Sequence, residues 1–252
     1  AGHDVLVQSG AGQGSSISEA EYVAAGAQLR DTADEVWGDA EMVLKVKELV
    51  AEEYHRIRAG QVVFTYLHLA ASRECTDAIL RAGATAIAYE TVELPDGSLP
   101  LLAPMSEVAG RLAPQVGSHA LMRAHGGRGV LMGGVSGVYA AKVVVIGAGV
   151  SGMNAAAIAL GMQAEVLLLD KNIARLRQMD AVYQGHMQTV ASNAFEVERA
   201  VLDADMVIGA VLVPGAKAPT LVSNELVSRM KPGSVLVDIA IDQGGCFEDS
   251  RP

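Results

Sequence analysis

Three glycines and one acid between residues 143 and 170 form a set that could do chemistry together. The stretch "VVVIGAGVSGMNAAAIALG" puts Gly147, Gly149 and Gly152 directly after an apolar run and at the head of an alanine-rich one. In a strand–turn–helix setting the first glycine permits a tight turn and the second lets a pyrophosphate approach the backbone. The third lets helix and strand pack closely. Free N–H groups at the helix start then face the phosphates. Asp170 ends the next apolar run, "EVLLLD", 23 residues beyond Gly147, close to the roughly 20 expected of a ribose-binding acid. A carboxylate there accepts hydrogen bonds from ribose hydroxyls and repels a 2′-phosphate, which favours NAD over NADP. Lys171, Arg175 and Arg177 follow it. At least two of these read as a solvated helix face, and a remaining cation would soften the discrimination.

A second group of residues suits the handling of a small substrate. "VLKVKELV" reads as a strand carrying Lys45 and Lys47 on one face and Leu44 and Val46 on the other. Lysines so placed are either solvated edge residues or charges aimed at a site. His68 sits at the end of the apolar run "TYLHLAAS". Histidine is a natural proton-transfer side chain, which suits this position if it faces a cleft, although a core histidine fits the pattern equally well. Asp238 and Asp242 close "VLVDIAIDQGG". Ligands of doubly wound sheets bind beyond the carboxyl ends of strands, so Asp242, past "IAI", is the better candidate, with a solvated loop aspartate as the alternative. His3, His55, His119, His125 and His186 have no acid or cysteine spacing that suggests a metal, and no metal site is expected.

Alternating β and α segments must position these residues. Asp4 to Gln8 reads as a strand, and Ser18 with Glu21, then Thr32 with Glu35, are capping boxes opening helices. A helix near "AEEYHRIR", a strand "QVVFTYLHLA", a helix from Ser72 to Arg81, a strand "TAIAY" and a turn at "LPDGS" follow. Near-unbroken apolar strands in this order imply a parallel sheet covered on both faces. "APMSEVAGRLAPQVGSHALMR" reads as a long helix with Pro104 near its start and Ser106 as its cap, while Pro114 argues against a straight course. A glycine-dense segment then leads to the glycine loop. Four further strands, "AEVLLLD", "HMQTV", "ADMVIGA" and "GSVLVDIA", build a second doubly wound sheet. The fold class is α/β, with two Rossmann-like parallel-sheet domains over residues 1–102 and 103–252.

Composition narrows the partners. The chain has 252 residues, 50% of them apolar, and a formal charge of −10 from 29 acidic and 19 basic side chains. That balance argues against nucleic acid and anionic membrane as partners. No apolar run reaches the roughly 18 to 20 residues that a spanning helix needs. Cys75 and Cys246 are lone thiols, which suits a reduced, cytoplasmic setting better than a disulfide scaffold.

Together these stretches resemble one family, alanine dehydrogenase, in the group that also holds the nucleotide-binding subunit of proton-translocating transhydrogenase. The matching segments are "VLKVKE", "FTYLHLAAS", "AYETVE", "LPLLAPMSEVAGRLA", "GGRGVLMGGV", "VVVIGAGVSG", "VIGAVLVPGAKAP" and "MKPGSVLVDIAIDQGGCFE". The resemblance implies NAD-dependent, reversible oxidative deamination of L-alanine to pyruvate and ammonium. It also implies that Lys47 holds the substrate carboxylate or carbonyl oxygen, with His68 beside it, and that His68 and Asp242 transfer protons. Ser106, Asp170, Arg175, Ser192, Val211, Leu212 and Asp242 fall where the family meets NAD, together with Gly147, Gly149 and Gly152; at Arg175 the match is one of basic type. Lys45 carries no family role and is read as structural. Family members are homo-oligomers, commonly hexamers, and "EVAGRLAPQVGSHALM" is the segment here that could pack on a partner.

The chain also departs from that pattern. Family members begin with an earlier strand bearing an arginine for the substrate carboxylate and continue well past "FEDSRP". The expectation is therefore a fragment, with a substrate domain incomplete at its start and a nucleotide domain incomplete at its end. Two other readings rank below the dehydrogenase: a transhydrogenase nucleotide subunit, whose relatives lack the pairing of Lys47 with His68, and an inactive truncated chain that only binds nucleotide.

Overall fold

Short apolar segments separated by capped helices fold here as parallel β–α units. A computed structural model describes residues 2–213 and 216–251; Pro214 and Gly215 of "VIGAVLVPGAKAP" lie outside the described residues. The chain divides into two units, Ala1–Thr91 and Val92–Pro252, a division that falls ahead of residue 102.

In the first unit β1 (Leu6–Gln8) is followed by α1 (Glu19–Ala24), β2 (Gln28–Arg30) and α2 (Ala33–Asp39). Both capping boxes form. The Glu21 N–H donates to Ser18 Oγ at 3.3 Å and the Ser18 N–H to Glu21 Oε2 at 2.7 Å. Thr32 and Glu35 repeat the exchange at 3.3 and 3.0 Å, which satisfies two otherwise orphaned donors at each helix start. Next come β3 (Met42–Leu44), β4 (Val62–Thr65), α3 (Arg73–Ala82) and β5 (Thr85–Ala88).

The expected sheet of this unit is in fact two parallel ladders, β1-β2 and β3-β4-β5. Trp37, Val43, Leu49, Val63, Leu67 and Ile79 fill its core. The buried Gln61 amide donates to the carbonyls of Trp37 and Ala40, at 2.9 Å each, so its polar group is satisfied.

Two expected strands are shorter than their apolar runs. β3 ends at Leu44, so Lys45 and Lys47 are not successive same-face residues of a strand. Main-chain bonds continue a little further, from the Lys45 N–H to the Phe64 carbonyl at 3.3 Å and from the Tyr66 N–H to the Val46 carbonyl at 3.2 Å, and side chains then join them. The buried Thr65 hydroxyl binds the carbonyls of Val46 and Lys47 at 3.1 and 2.8 Å, and the Lys45 ammonium donates to the Glu48 carbonyl at 3.2 Å. β4 stops at Thr65, ahead of His68. The segment "AEEYHRIR" forms a 3₁₀ stretch, Ala51–Arg56, rather than an α-helix.

The second unit opens with α4 (Ala103–Ala120). Its N-cap is Leu102, without a side-chain cap, so Ser106 lies inside the helix rather than capping it. Pro104 sits in the first turn, where a missing N–H costs nothing, and the helix continues through Pro114. Then follow β6 (Lys142–Ile146), α5 (Val150–Gly161), β7 (Glu165–Asp170), α6 (Ile173–Tyr183) and β8 (Gln188–Ala191). The unit ends with α7 (Ala194–Asp203), β9 (Met206–Gly209), α8 (Asn224–Ser228) and β10 (Val235–Asp238).

All five strands of this unit are parallel, in the order β10-β9-β6-β7-β8. The chain reverses its winding between β6 and β9, which is where such sheets bind ligands. Alternate residues of β6 serve opposite faces: Val143 and Val145 join one core cluster, Val144 and Ile146 the other. Ala155, Ala156 and Ala159 of α5 are fully buried, and their small side chains let the helix lie close on the sheet.

Candidate functional site

Each glycine of the loop between β6 and α5 has its own physical reason. Gly147 adopts φ +108°, and a Cβ there would lie 2.6 Å from the Ala210 carbonyl oxygen. Gly152 packs so closely that a Cβ would fall 1.7 Å from the Gly147 carbonyl oxygen. Gly149, the N-cap of α5, has nothing within 4 Å of where its Cβ would stand. Two of the glycines are therefore demanded by the fold. The third leaves open space in front of a helix N-terminus, whose N–H groups and partial positive charge suit a phosphate.

That open space belongs to a cavity of about 560 Å³ beyond the carboxyl ends of β6, β7 and β9. Of the ten residues expected to meet a nucleotide, eight line it: Ser106, Gly147, Gly149, Asp170, Arg175, Ser192, Val211 and Leu212. Gly152 instead packs beneath the loop, and Asp242 is not among the lining residues. Lys171 lines the cavity as well, and so does the turn formed by Gly97, Ser98, Leu99 and Pro100. The sequence marked that turn only as a turn. A volume of this size falls in the range of small-molecule and cofactor sites, and the glycine loop fits the pyrophosphate of a dinucleotide.

Asp170 does more than end β7. Its Oδ2 accepts the Ala148 N–H of the glycine loop at 2.5 Å, and its Oδ1 accepts the Asn172 N–H at 2.6 Å. The Ser192 N–H binds the Asp170 carbonyl at 2.9 Å. The carboxylate thus ties together the turns that shape the cavity, and its remaining lone pairs can accept from ribose hydroxyls. Asn172 caps α6 by accepting from the Ala174 and Arg175 N–H groups at 3.0 and 3.3 Å, which sets where the Arg175 side chain starts.

After β10 the two aspartates part in role. The Asp238 carboxylate accepts the N–H groups of Ala240, Cys246 and Phe247 at 3.0, 2.7 and 3.3 Å, and the Ser250 hydroxyl besides. It is consumed in holding the loop. Asp242 lies on that loop, in the 3₁₀ turn Ile241–Gln243, with its side chain exposed. Burial pushes the neighbouring Cys246 thiol up to about 11, so it stays protonated at neutral pH and is no nucleophile.

In the first unit Lys45 and Lys47 also diverge. Lys45 is half-buried and paired with Glu53, whose carboxylate accepts the Val50 N–H at 3.0 Å. The Lys47 side chain is 51% exposed, with its ammonium 3.7 Å from the Glu48 carboxylate. Thr65, holding the Lys47 carbonyl, fixes the backbone from which that ammonium projects.

His68 is held in an unusual way. Its φ of +47° lies in the left-handed region, uncommon for a residue with a side chain. The Glu90 carboxylate, only 6% exposed, accepts the His68 N–H at 2.7 Å and the Leu67 N–H at 3.2 Å. The imidazole lies parallel to the Tyr66 ring, at 9° and 6.0 Å between centroids. Tyr66 in turn meets Tyr89 edge-on at 5.1 Å. Burial raises the Tyr66 phenol above its ordinary range, with the Glu90 and Tyr89 charges adding and Lys47 opposing. Both His68 ring nitrogens are shielded from solvent and have no hydrogen-bond partner among the described residues. Buried polar atoms without partners are rare and costly, and an imidazole in that state suits proton exchange with a bound molecule. Glu90, Thr65 and Tyr66 were not singled out from sequence. The only signal for Glu90 was an acid one residue after the strand run "TAIAY".

Comparison with known proteins covers both units. Residues 1–109 match the family model described as alanine dehydrogenase/PNT, N-terminal domain, and residues 113–252 match its C-terminal domain. An alanine dehydrogenase of Mycobacterium tuberculosis (strain CDC 1551 / Oshkosh) is 68% identical over 251 residues, covering all of this chain and 68% of the relative. Among solved structures, an L-alanine dehydrogenase superposes with a TM-score of 0.87 at 51% identity, over all of this chain and 69% of that one. A transhydrogenase from Sinorhizobium meliloti follows at 0.78 and 34%, over 98% of this chain and 72% of that one.

Proposed function

Because this chain belongs to the alanine dehydrogenase/PNT family, we propose that it catalyses the reversible, NAD-dependent oxidative deamination of L-alanine to pyruvate and ammonium. Its class is that of oxidoreductases acting on an amino-acid CH–NH2 group. The observation that carries the reading is the 68% identity to an alanine dehydrogenase over 251 residues, a span that includes both the glycine loop and the segments of Lys47 and His68. The transhydrogenase likeness is weaker, at 34% identity.

The chain's own residues divide the work by their chemistry. Lys47, a compact charge on a flexible stem, holds the substrate carboxylate or carbonyl oxygen. His68 takes the proton as the amine is oxidised and returns it in the reverse direction, and Asp242 is the second proton-transfer group. The backbone of Gly147 and Gly149 and the start of α5 hold the pyrophosphate of NAD, while Asp170 accepts from the adenosine ribose. Ser106, Arg175, Ser192, Val211 and Leu212 complete that surface. When bound, NAD supplies the nicotinamide that takes the hydride.

The division into substrate and nucleotide domains is assigned at 102/103. The compact units part earlier in the chain, at Thr91/Val92, and Gly110 of α4, where a Cβ would lie 2.3 Å from the Ser151 carbonyl of α5, supports giving α4 to the nucleotide side. The helix is therefore built into the nucleotide unit. Assembly as a homo-oligomer, a hexamer by family likeness, is supported by the opposite face of α4. Val108, Leu112 and Val116, spaced four apart, are 50–59% exposed. A cytoplasmic setting agrees with two buried free thiols, and among the described residues no helix is long and apolar enough to cross a membrane.

The test uses the full-length protein with L-alanine and NAD, following NADH absorbance. Alanine-dependent NADH formation is expected, falling by orders of magnitude in His68→Ala and in Asp242→Asn while NAD binding changes little. Hydride transfer between nucleotides without any need for alanine would favour the transhydrogenase reading. Near-normal turnover in both variants would overturn the residue roles.

A further inference from the structure

We propose that Glu90 is a positioning residue for the reaction: it holds the His68 imidazole at its working place by binding the backbone beneath it. The inference rests on the reading of His68 as a proton-transfer group. A carboxylate that is almost fully buried is expensive unless its oxygens are satisfied. The hydrogen-bond partners of Glu90 among the described residues are the main-chain N–H groups of Leu67 and His68, from 2.7 to 3.2 Å. They fall where β4 has already ended and the chain turns through the left-handed conformation of His68.

That conformation needs something to impose it, because strained backbone persists only where surrounding structure over-determines it. The sheet does not supply the restraint, since the ladder of β4 with β5 ends at Thr65 paired with Ala88. Glu90 does. It stands in the 3₁₀ turn Tyr89–Thr91 that directly follows β5, so the parallel pairing of β4 and β5 carries the acid to the end of the strand it must serve. The imidazole lies parallel to the Tyr66 ring, and its nitrogens have no hydrogen bond among the described residues to orient them. The position of those nitrogens therefore follows the backbone at residue 68, and the backbone follows Glu90. Misplacing a reacting group by about 1 Å costs on the order of a hundredfold in rate.

A double-mutant cycle in the full-length protein tests this, using Glu90→Gln, His68→Ala and the pair. The amide side chain is isosteric but carries no charge, and it puts an NH2 group in place of one of the two oxygens that now face the Leu67 N–H. If Glu90 acts through His68, Glu90→Gln lowers kcat roughly ten- to hundredfold, with the KM for NAD unchanged, and costs nothing more once His68 is alanine. Glu90→Asp, which keeps the charge, provides the same comparison if the glutamine variant does not fold.

Additive losses in the cycle would sink the proposal, as would a Glu90→Gln enzyme with normal kcat. Failure of both Glu90 variants to fold would make the residue a stability element and end the proposal too. The reading of His68 fails separately, if His68→Ala alone keeps its turnover.

Discussion

Asp170 faces two demands at once, and replacing it should separate them. In Asp170→Ala the Ala148 and Asn172 N–H groups lose an acceptor now at 2.5 and 2.6 Å. Hydrogen bonds to a charged group contribute about 1.5–3 kcal/mol each. The residue is only partly buried, so water replaces part of both, and a net loss of about 2 kcal/mol is expected. For a chain of this size that lowers Tm by roughly 4–8 °C. Nucleotide binding carries the second loss. The disturbed glycine loop weakens NAD and NADP by the same factor, because both share the pyrophosphate. The missing ribose contact weakens NAD alone, by roughly ten- to hundredfold. Removing the carboxylate also ends its repulsion of a 2′-phosphate, with Lys171 and Arg175 lining the same cavity. The ratio of NAD to NADP affinity, measured by fluorescence titration of the apo-protein, therefore isolates the ribose effect from the loop effect. The ratio should fall at least tenfold. A folded Asp170→Ala protein with an unchanged ratio would show that the backbone consumes the carboxylate entirely, and the physical basis for choosing NAD would be lost.

The glycine loop predicts opposite outcomes for neighbouring positions. Gly149→Val should leave thermal stability within about 0.5 kcal/mol yet abolish binding of both nucleotides in titration. Gly152→Ala, with its Cβ 1.7 Å from a backbone oxygen, should lose on the order of 3 kcal/mol in denaturant melts without any nucleotide present. On α4, Leu112→Glu places a charge in the middle of the exposed apolar stripe. Light scattering of the full-length protein should then show a smaller assembly, and an unchanged mass would remove this face from the interface.

The nucleotide half was legible because its rules are local. A strand, a glycine turn, a helix and an acid at the next strand end follow in sequence, and the structure brings Gly147, Gly149 and Asp170 to one cavity. What escaped the sequence is side chains reaching backbone across distance. Nothing in "VLKVKELV" says that the Lys47 carbonyl is held by the Thr65 hydroxyl, 18 residues further along the chain. Glu90 was hidden for the same reason, since its partners Leu67 and His68 lie on the preceding strand connection. Ser106 looked like a cap because serine favours that position, but α4 begins earlier, at Ala103.

The loop hung on Asp238 has a consequence for where Asp242 stands. One carboxylate collects donors from Ala240, Cys246, Phe247 and Ser250, so both ends of the loop hang on a single side chain. Removing that carboxylate would take away the shared anchor of the segment from Ala240 to Ser250, with Asp242 riding on it. The placement of Asp242 thus depends on a side chain four residues before it in the chain.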